Sequence, residues 1–397
     1  MFTDPSELPL LLGAAAVLAG VVTSVLVPPV ARLAVAFGAV DRPDARKPEA
    51  RAIPRLGGVA MAGGIALACG AGAVLRWTAW SQAIPRQEIL AFAFGLLLVF
   101  LVGVVDDLVG VSPGRKLLVE LFAAWLVVRV GWAFHLLRLP LVGEIDLGLW
   151  GPLLSIAWVV GVTNAINLID GLDGLAGGVA AIVAASLLAY SIFQDNQATA
   201  MLLAAVVGAC LGFLWHNWEP ARIFLGDGGA LTLGFLFGVL TLHSSIKAPA
   251  AVAILVPVLA LGLPVIDALL VMALRFFEGR GRPLARRVAR ILRADRRHVH
   301  HLLEGVVRRR RWIVVVLYVT VLFFCVGALG VALTGQGTLG LVLLGVEIAV
   351  VVAMRGLGLA GEVRRLAETR RGEARRRLPW WRESEPDGAG EGVTREP

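Results

Sequence analysis

Asn164, Asn167, Asp170 and Asp173 stand three residues apart at the end of an otherwise apolar stretch. Two amides and two carboxylates occupy positions where a membrane helix carries Leu or Val. An Asp near the middle of a bilayer costs about 2.5–3.5 kcal/mol, so a ligand or a protein partner must offset it. Steps of three keep neighbours adjacent on a helix while the row drifts around it. Gly171 and Gly174 permit a break inside the ladder. The plainer alternative is a helix-ending turn with solvated aspartates.

Four further clusters carry chemistry. Asp106-Asp107 closes a second apolar run, and Lys116 follows it across a Ser-Pro-Gly turn. Adjacent helical residues point about 100° apart, so one of the two carboxylates faces a given ligand. Asp227 sits in Phe224-Leu-Gly-Asp-Gly-Gly, a tight turn with one carboxylate. Mg²⁺ takes one or two carboxylates together with substrate phosphate, and Asp227 is the expected metal ligand, with Mn²⁺ as the substitute ion. His298, His300 and His301 lie among arginines. They suit phosphate contact better than zinc, since the Cys or Glu-x-x-His partners of a zinc site are missing. A basic segment drawn to anionic lipid is the other reading. Arg46, Lys47, Arg51 and Arg55 form the last cluster. Together these groups fit a phosphate-bearing substrate held through a divalent metal.

The elements that position them are apolar. Of 397 residues, 58% are hydrophobic and 17% charged, and the mean hydropathy is +0.79. Eleven runs near spanning length recur, at about 8–31, 56–76, 89–106, 117–131, 149–168, 175–193, 198–215, 229–245, 250–275, 312–334 and 338–355. They lack the polar face of a soluble helix. The expected fold is an all-α polytopic membrane protein. Asp4, Glu7 and its length set the first run apart from a cleavable signal. Cys69, Cys210 and Cys325 all fall inside apolar runs, so no disulfide framework is expected.

Lys and Arg give the orientation. With the N-terminus outside and eleven spans alternating, 32 of the 37 basic residues fall on inside loops. The C-terminus is then cytoplasmic. The net charge of +8 reads as a topology signal, with no nucleic-acid partner required. Every polar cluster lands on the same cytoplasmic face, a result not used in building the orientation. Residues 1–355 form the membrane domain and 356–397 a basic tail. Within the tail, 362–371 is a helical candidate, Trp380-Trp381 suits a membrane interface, and a Gly/Glu-rich end is expected to lack fixed structure.

The combined motifs resemble the polyprenyl-phosphate N-acetylhexosamine-1-phosphate transferases. The resemblance rests on Pro54-Arg-Leu-Gly-Gly58, Asp106-Asp107 with Lys116, Asn164 to Leu175, Asn217 to Asp227, and His298-Val-His-His301. It spans about residues 40–305, in the family's order. The Pro-Arg-Leu-Gly-Gly and His-x-His-His forms look like the WecA/TagO branch. Two departures are Ala230, where the family usually has Ser, and Glu49, where it usually has His.

The resemblance implies transfer of N-acetylhexosamine-1-phosphate, most simply the GlcNAc compound, from a UDP-sugar to undecaprenyl phosphate, with release of UMP. This step starts lipid-linked cell-wall or surface polysaccharide. It implies a bacterial plasma membrane, a cytoplasmic active site and an assembly that can be a homodimer. Asp106, Asp107 and Lys116 would be catalytic, with Asp106 the better candidate to take a proton from the lipid phosphate. Asn164, Asn167, Asp170, Asp173, Asn217 and Phe224 would hold the nucleotide, Phe224 by stacking on uracil. Lys47, Arg55, His298, His300 and His301 would contact phosphate or sugar. Two alternatives stand beside this reading: a phospho-N-acetylmuramoyl-pentapeptide transferase of the same superfamily, and an ion-coupled transporter. A transporter should carry its charges near mid-bilayer and show repeat symmetry. Here the charges gather at one face and no repeat is evident.

Overall fold

The computed structural model describes residues 7–41, 52–75, 84–139, 143–247, 254–281, 283, 287, 297–307 and 309–377. Lys47 and its neighbours Arg46 and Arg51 lie outside the described residues, as do Trp380-Trp381 and the tail beyond.

The described chain is helical with two short hairpins. In order, the elements are α1 (Leu8–Ala36), β1 (Val40–Asp41), β2 (Ile53–Pro54), α2 (Gly57–Leu75), α3 (Arg86–Val109) and α4 (Pro113–Arg129). Then come β3 (Leu136–Leu139), β4 (Gly143–Asp146), α5 (Trp150–Ile169), α6 (Leu175–Phe193), α7 (Gln197–Asn217) and α8 (Gly226–Lys247). The last are α9 (Leu255–Ala260), α10 (Gly262–Glu278), α11 (Val299–Leu303), α12 (Arg310–Thr334) and α13 (Gly337–Arg377). Each apolar run read from the sequence has helix along most of its length. Among the described residues, eight helices are long and apolar enough to cross a membrane: α1, α2, α3, α5, α6, α7, α12 and α13. The fourth and ninth runs give shorter helices, since α4 and α10 have 17 residues each. The ninth run is divided at Leu261 into α9 and α10.

Small residues set the packing. Lipid offers no hydrophobic drive between helices, so close backbone approach and dispersion must hold them. α1 lies on α7 and α2, and α8 packs between α3 and α5. At the first contact a Cβ on Gly208 would lie 1.9 Å from the Ala16 carbonyl oxygen. At the second, a Cβ on Gly234 would lie 2.6 Å from the Cα of Thr163. α8 is the hub of the core, with Leu231, Phe235, Phe237 and Val239 all buried. Cys69, Cys210 and Cys325 are free thiols.

The last helix differs from the expected outline. α13 runs 41 residues without a break, so the basic helical candidate at 362–371 continues directly from the last apolar run. Glu347 within it is fully buried, and its carboxylate faces the start of α10, where a Cβ on Gly262 would lie 2.2 Å from Oε2.

Candidate active site

The turn before α8 organises the site. Phe224 N–H donates to the Pro54 carbonyl at 2.7 Å, and Gly57 N–H and Gly58 N–H donate to the carbonyls of Phe224 and Leu225 at 2.9 and 2.7 Å. The Pro54–Gly58 and Phe224–Gly229 motifs are therefore one strand-like contact. Gly226 has φ +74°, a conformation that L side chains rarely adopt. A Cβ there would also lie 1.9 Å from the Arg55 carbonyl oxygen. Gly58 meets Gly229 backbone to backbone, and an added Cβ would be 2.1 Å from the Gly229 nitrogen.

Asp106 and Asp107, though adjacent, do different things. The carboxylate of Asp107 accepts N–H from Asp227 and Gly228, each at 2.9 Å. Those N–H groups open α8 and have no partner within the helix. Asp107 thus fixes the turn that carries Asp227. Asp106 accepts the Val111 N–H and, at 3.0 Å, the ammonium of Lys116. The same ammonium reaches Asp227 Oδ2 at 2.5 Å. Two carboxylates 121 positions apart in sequence therefore converge on one cation, and all three side chains keep some exposure.

The Asn/Asp ladder wraps the end of α5. Asn217 locks it from the far side: its Oδ1 accepts Gly174 N–H at 2.9 Å and its Nδ2 donates to the Ile223 carbonyl at 2.8 Å. Asp173 accepts Ala221 N–H at 2.9 Å. Asn167, Asp170, Asp173, Asn217, Phe224, Asp227, Arg55 and His301 line one cavity of about 580 Å³. Burial first, then the charges of Asp227 and Asp107, push the Asp170 carboxyl up to about 7, against the pull of Arg55. Asn164 stands apart from this lining. Its amide donates to Glu120 and to the Val160 carbonyl.

The three histidines separate. His301 lines the cavity. His298 is buried, with Nδ1 2.8 Å from Asp267. His300 is buried against the ladder's turn, where a Cβ on Gly171 would lie 2.4 Å from its Nε2. Burial, with His301 and His298 beside it, pulls the His300 imidazole down to about 3. It is therefore neutral near pH 7 and offers a phosphate no charge.

Sequence reasoning missed several residues. Asp41, Glu304, Arg310 and Glu362 complete the cavity wall, Arg310 pairing with Glu304 at 2.9 Å. Glu120, Asp267 and Glu347 are buried carboxylates within apolar runs. A survey of acidic residues inside those runs would have found all three.

The donor set suits a hard divalent cation. Asp106 and Asp227 point oxygens at one place, now bridged by Lys116, next to a cavity lined by six carboxylates and two arginines. Mg²⁺ prefers such oxygen ligands and completes its shell with phosphate. Among the described residues no group of three His, Cys, Asp or Glu forms a closed metal cage.

Comparison with known proteins places the chain in a family. The model of glycosyl transferase family 4 matches residues 89–245. A probable undecaprenyl-phosphate N-acetylglucosaminyl 1-phosphate transferase of Bacillus subtilis is 30% identical over 306 residues, 77% of this chain and 80% of that protein. A decaprenyl-phosphate N-acetylglucosaminephosphotransferase of Mycolicibacterium smegmatis is 30% identical over 348 residues, 81% of this chain and 82% of that protein. A phospho-N-acetylmuramoyl-pentapeptide-transferase of Lactiplantibacillus plantarum is 36% identical over 181 residues, 41% of this chain and 55% of that protein.

Proposed function

The chain belongs to the polyprenyl-phosphate N-acetylhexosamine-1-phosphate transferases, and we propose that it moves GlcNAc-1-phosphate from UDP-GlcNAc to a polyprenyl phosphate, releasing UMP. The observation that carries the assignment of roles is the convergence of Asp106 and Asp227 on Lys116 beside the cavity lined by Asp170, Asp173 and Asn217. The pentapeptide-transferase reading rests on a match to 41% of the chain, about half of what the GlcNAc relatives cover.

An oxygen of the lipid phosphate attacks the sugar-bearing phosphorus of the donor. The new P–O bond forms as the bond to the bridging oxygen breaks, and that oxygen leaves with UMP. Asp106, half-open at the end of α3, takes the proton from the lipid phosphate. Lys116 offsets charge on the attacking anion. Asp107 holds the turn of Asp227 in place. Asn167, Asp170, Asp173, Asn217 and Phe224 bind and orient the nucleotide, and His301 and Arg55 face its diphosphate or sugar. A Mg²⁺ ion on Asp227 would neutralise charge on the phosphate oxygens.

Supporting the setting are the apolar helices and the distribution of Lys and Arg. On that distribution we place the N-terminus outside, count eleven spans and put the active site on the cytoplasmic face of a bacterial plasma membrane. The test of the reaction is UMP release by purified protein given undecaprenyl phosphate, Mg²⁺ and a panel of UDP-sugars. UDP-GlcNAc should give the highest kcat/KM. No UMP with any donor, or a clear preference for UDP-MurNAc-pentapeptide, refutes the proposal.

A further inference from the structure

The histidine segment is held by a buried ion cluster to which the reaction gives no role. Asp267 of α10 is 2% exposed. Its carboxylate lies 2.8 Å from His298 Nδ1, accepts Val299 N–H at 3.2 Å, and accepts the Arg355 guanidinium of α13 at 2.6 Å. The side chains of His298 and Arg355 are 3% and 8% exposed. A carboxylate only accepts, so His298 Nδ1 is the donor in this contact. A buried pair of this kind is tolerated only when its hydrogen bonds are complete. Here the carboxylate takes three donors from two separate segments, residues 298–299 and α13.

α11 needs such an anchor. It has five residues, too few to hold a helical turn by itself. Its orientation is imposed from outside at three places. Asp267 holds its start through His298 and Val299. Gly171 receives the ring of His300. α13 closes its other side, where a Cβ on Gly358 would lie 2.6 Å from Leu302 Cβ and one on Gly361 would lie 2.8 Å from the Gly305 carbonyl. With those contacts made, His301 is the histidine that remains on the cavity. Glu362, two turns beyond Arg355 on the same helix, lines that cavity as well.

We propose that Asp267 and Arg355 are positioning residues of the transferase site, clamping His298 and the start of α11 so that His301 is held on the cavity. The last helix is then part of the active site, and His298 anchors the motif without touching substrate. The inference rests on the transferase reading, which wild-type UMP release tests separately.

The experiment is a double-mutant cycle between Arg355 and His301 in the full chain. Arg355→Lys keeps the charge and replaces the guanidinium that Asp267 receives with an ammonium on a shorter reach. Single-turnover rates, UDP-GlcNAc affinity and the unfolding midpoint are measured for Arg355→Lys, His301→Ala and the double variant. If Arg355 acts through His301, Arg355→Lys lowers the rate about tenfold in the wild-type background and less than about twofold on top of His301→Ala. A damaged fold would instead lower the rate by the same factor in both backgrounds, and that additivity overturns the proposal. So does a His301→Ala variant with the wild-type rate. If Arg355→Lys yields no folded protein, the pair Asp267→Asn with Arg355→Gln removes both charges at once and is read by the same criterion.

Discussion

Asp107→Asn should cost folding and catalysis together, whereas Asp106→Asn should cost catalysis alone. Asp107 accepts the N–H groups of Asp227 and Gly228 at 2.9 Å. An Asn in either amide orientation keeps one oxygen and turns an NH₂ toward the other N–H. One bond to a charged acceptor disappears, at about 1.5–3 kcal/mol, and two donors then face each other. The lost negative charge at the start of α8 adds about 0.3–1 kcal/mol. The neighbourhood has no slack to absorb this, since a Cβ on Gly103 would already lie 2.6 Å from Gly228 Cα. A total of about 2–4 kcal/mol, transmitted to the placement of Asp227, corresponds to a rate loss of roughly 30- to 900-fold. Asp106 is different. Its Asn variant retains an oxygen for the Val111 N–H and gives up only the bond to Lys116, a part-exposed ammonium that Asp227 still holds. UMP release measured across UDP-GlcNAc concentration, with thermal unfolding followed by Trp fluorescence on the same preparations, separates the two. The reasoning is refuted if Asp107→Asn unfolds at the wild-type midpoint while Asp106→Asn unfolds early.

Other outcomes follow from the same geometry. Asp227→Asn should remain folded and lose most turnover, and wild type should need Mg²⁺ or Mn²⁺; full activity in EDTA, or in the variant, defeats the metal assignment. Gly58→Ala puts a Cβ 2.1 Å from the Gly229 nitrogen, an overpacking of backbone on backbone that should cost at least about 1–3 kcal/mol; an unchanged midpoint would contradict it. His300 is neutral in the fold, with a pKa of about 3 against 6.5 unfolded, so the stability it contributes is present above pH 6.5 and lost as pH falls toward 3. Moving from pH 7 to 5 should remove about 2 kcal/mol, and His300→Gln should flatten the pH profile of the unfolding midpoint; parallel profiles would show that His300 does not titrate in this way. A cysteine placed at Ser112 or Ala221 should be labelled from the cytoplasmic side only, and labelling from outside intact cells would sink the proposed orientation.

The apolar runs and polar clusters were legible because membrane helices leave polar residues conspicuous. Asp170, Asp173, Asn217 and Asp227 could be singled out in the sequence for that reason, and the structure gathers them on one cavity. What each polar group touches was less legible. Asp106 and Asp107 are indistinguishable as adjacent letters, yet one meets a lysine and the other the start of a helix. His298, His300 and His301 read as one cluster, but a short helix sends their rings to an aspartate, a glycine turn and the cavity. Asp267 with Arg355, and Glu120 with Asn164, pair residues 88 and 44 positions apart. No local spacing encodes such pairs, because tertiary packing alone brings the partners together.

The charge of the site also bears on the proposed cation. The cavity wall carries Asp41, Asp170, Asp173, Asp227, Glu304 and Glu362 against Arg55 and Arg310. Both substrates of the proposed reaction are anions, and they must meet. Arg310 is already engaged by Glu304, and Lys116 by Asp106 and Asp227. Such a wall repels a diphosphate unless positive charge is added, and the repulsion grows as water leaves the site. The proposed Mg²⁺ would bring two charges at once to the place where the carboxylates converge. It would also compete with Lys116 for Asp227, freeing the ammonium for the lipid phosphate. Metal and lysine would then have successive claims on one carboxylate, and the excess of acid around the cavity would make donor binding depend on the proposed ion.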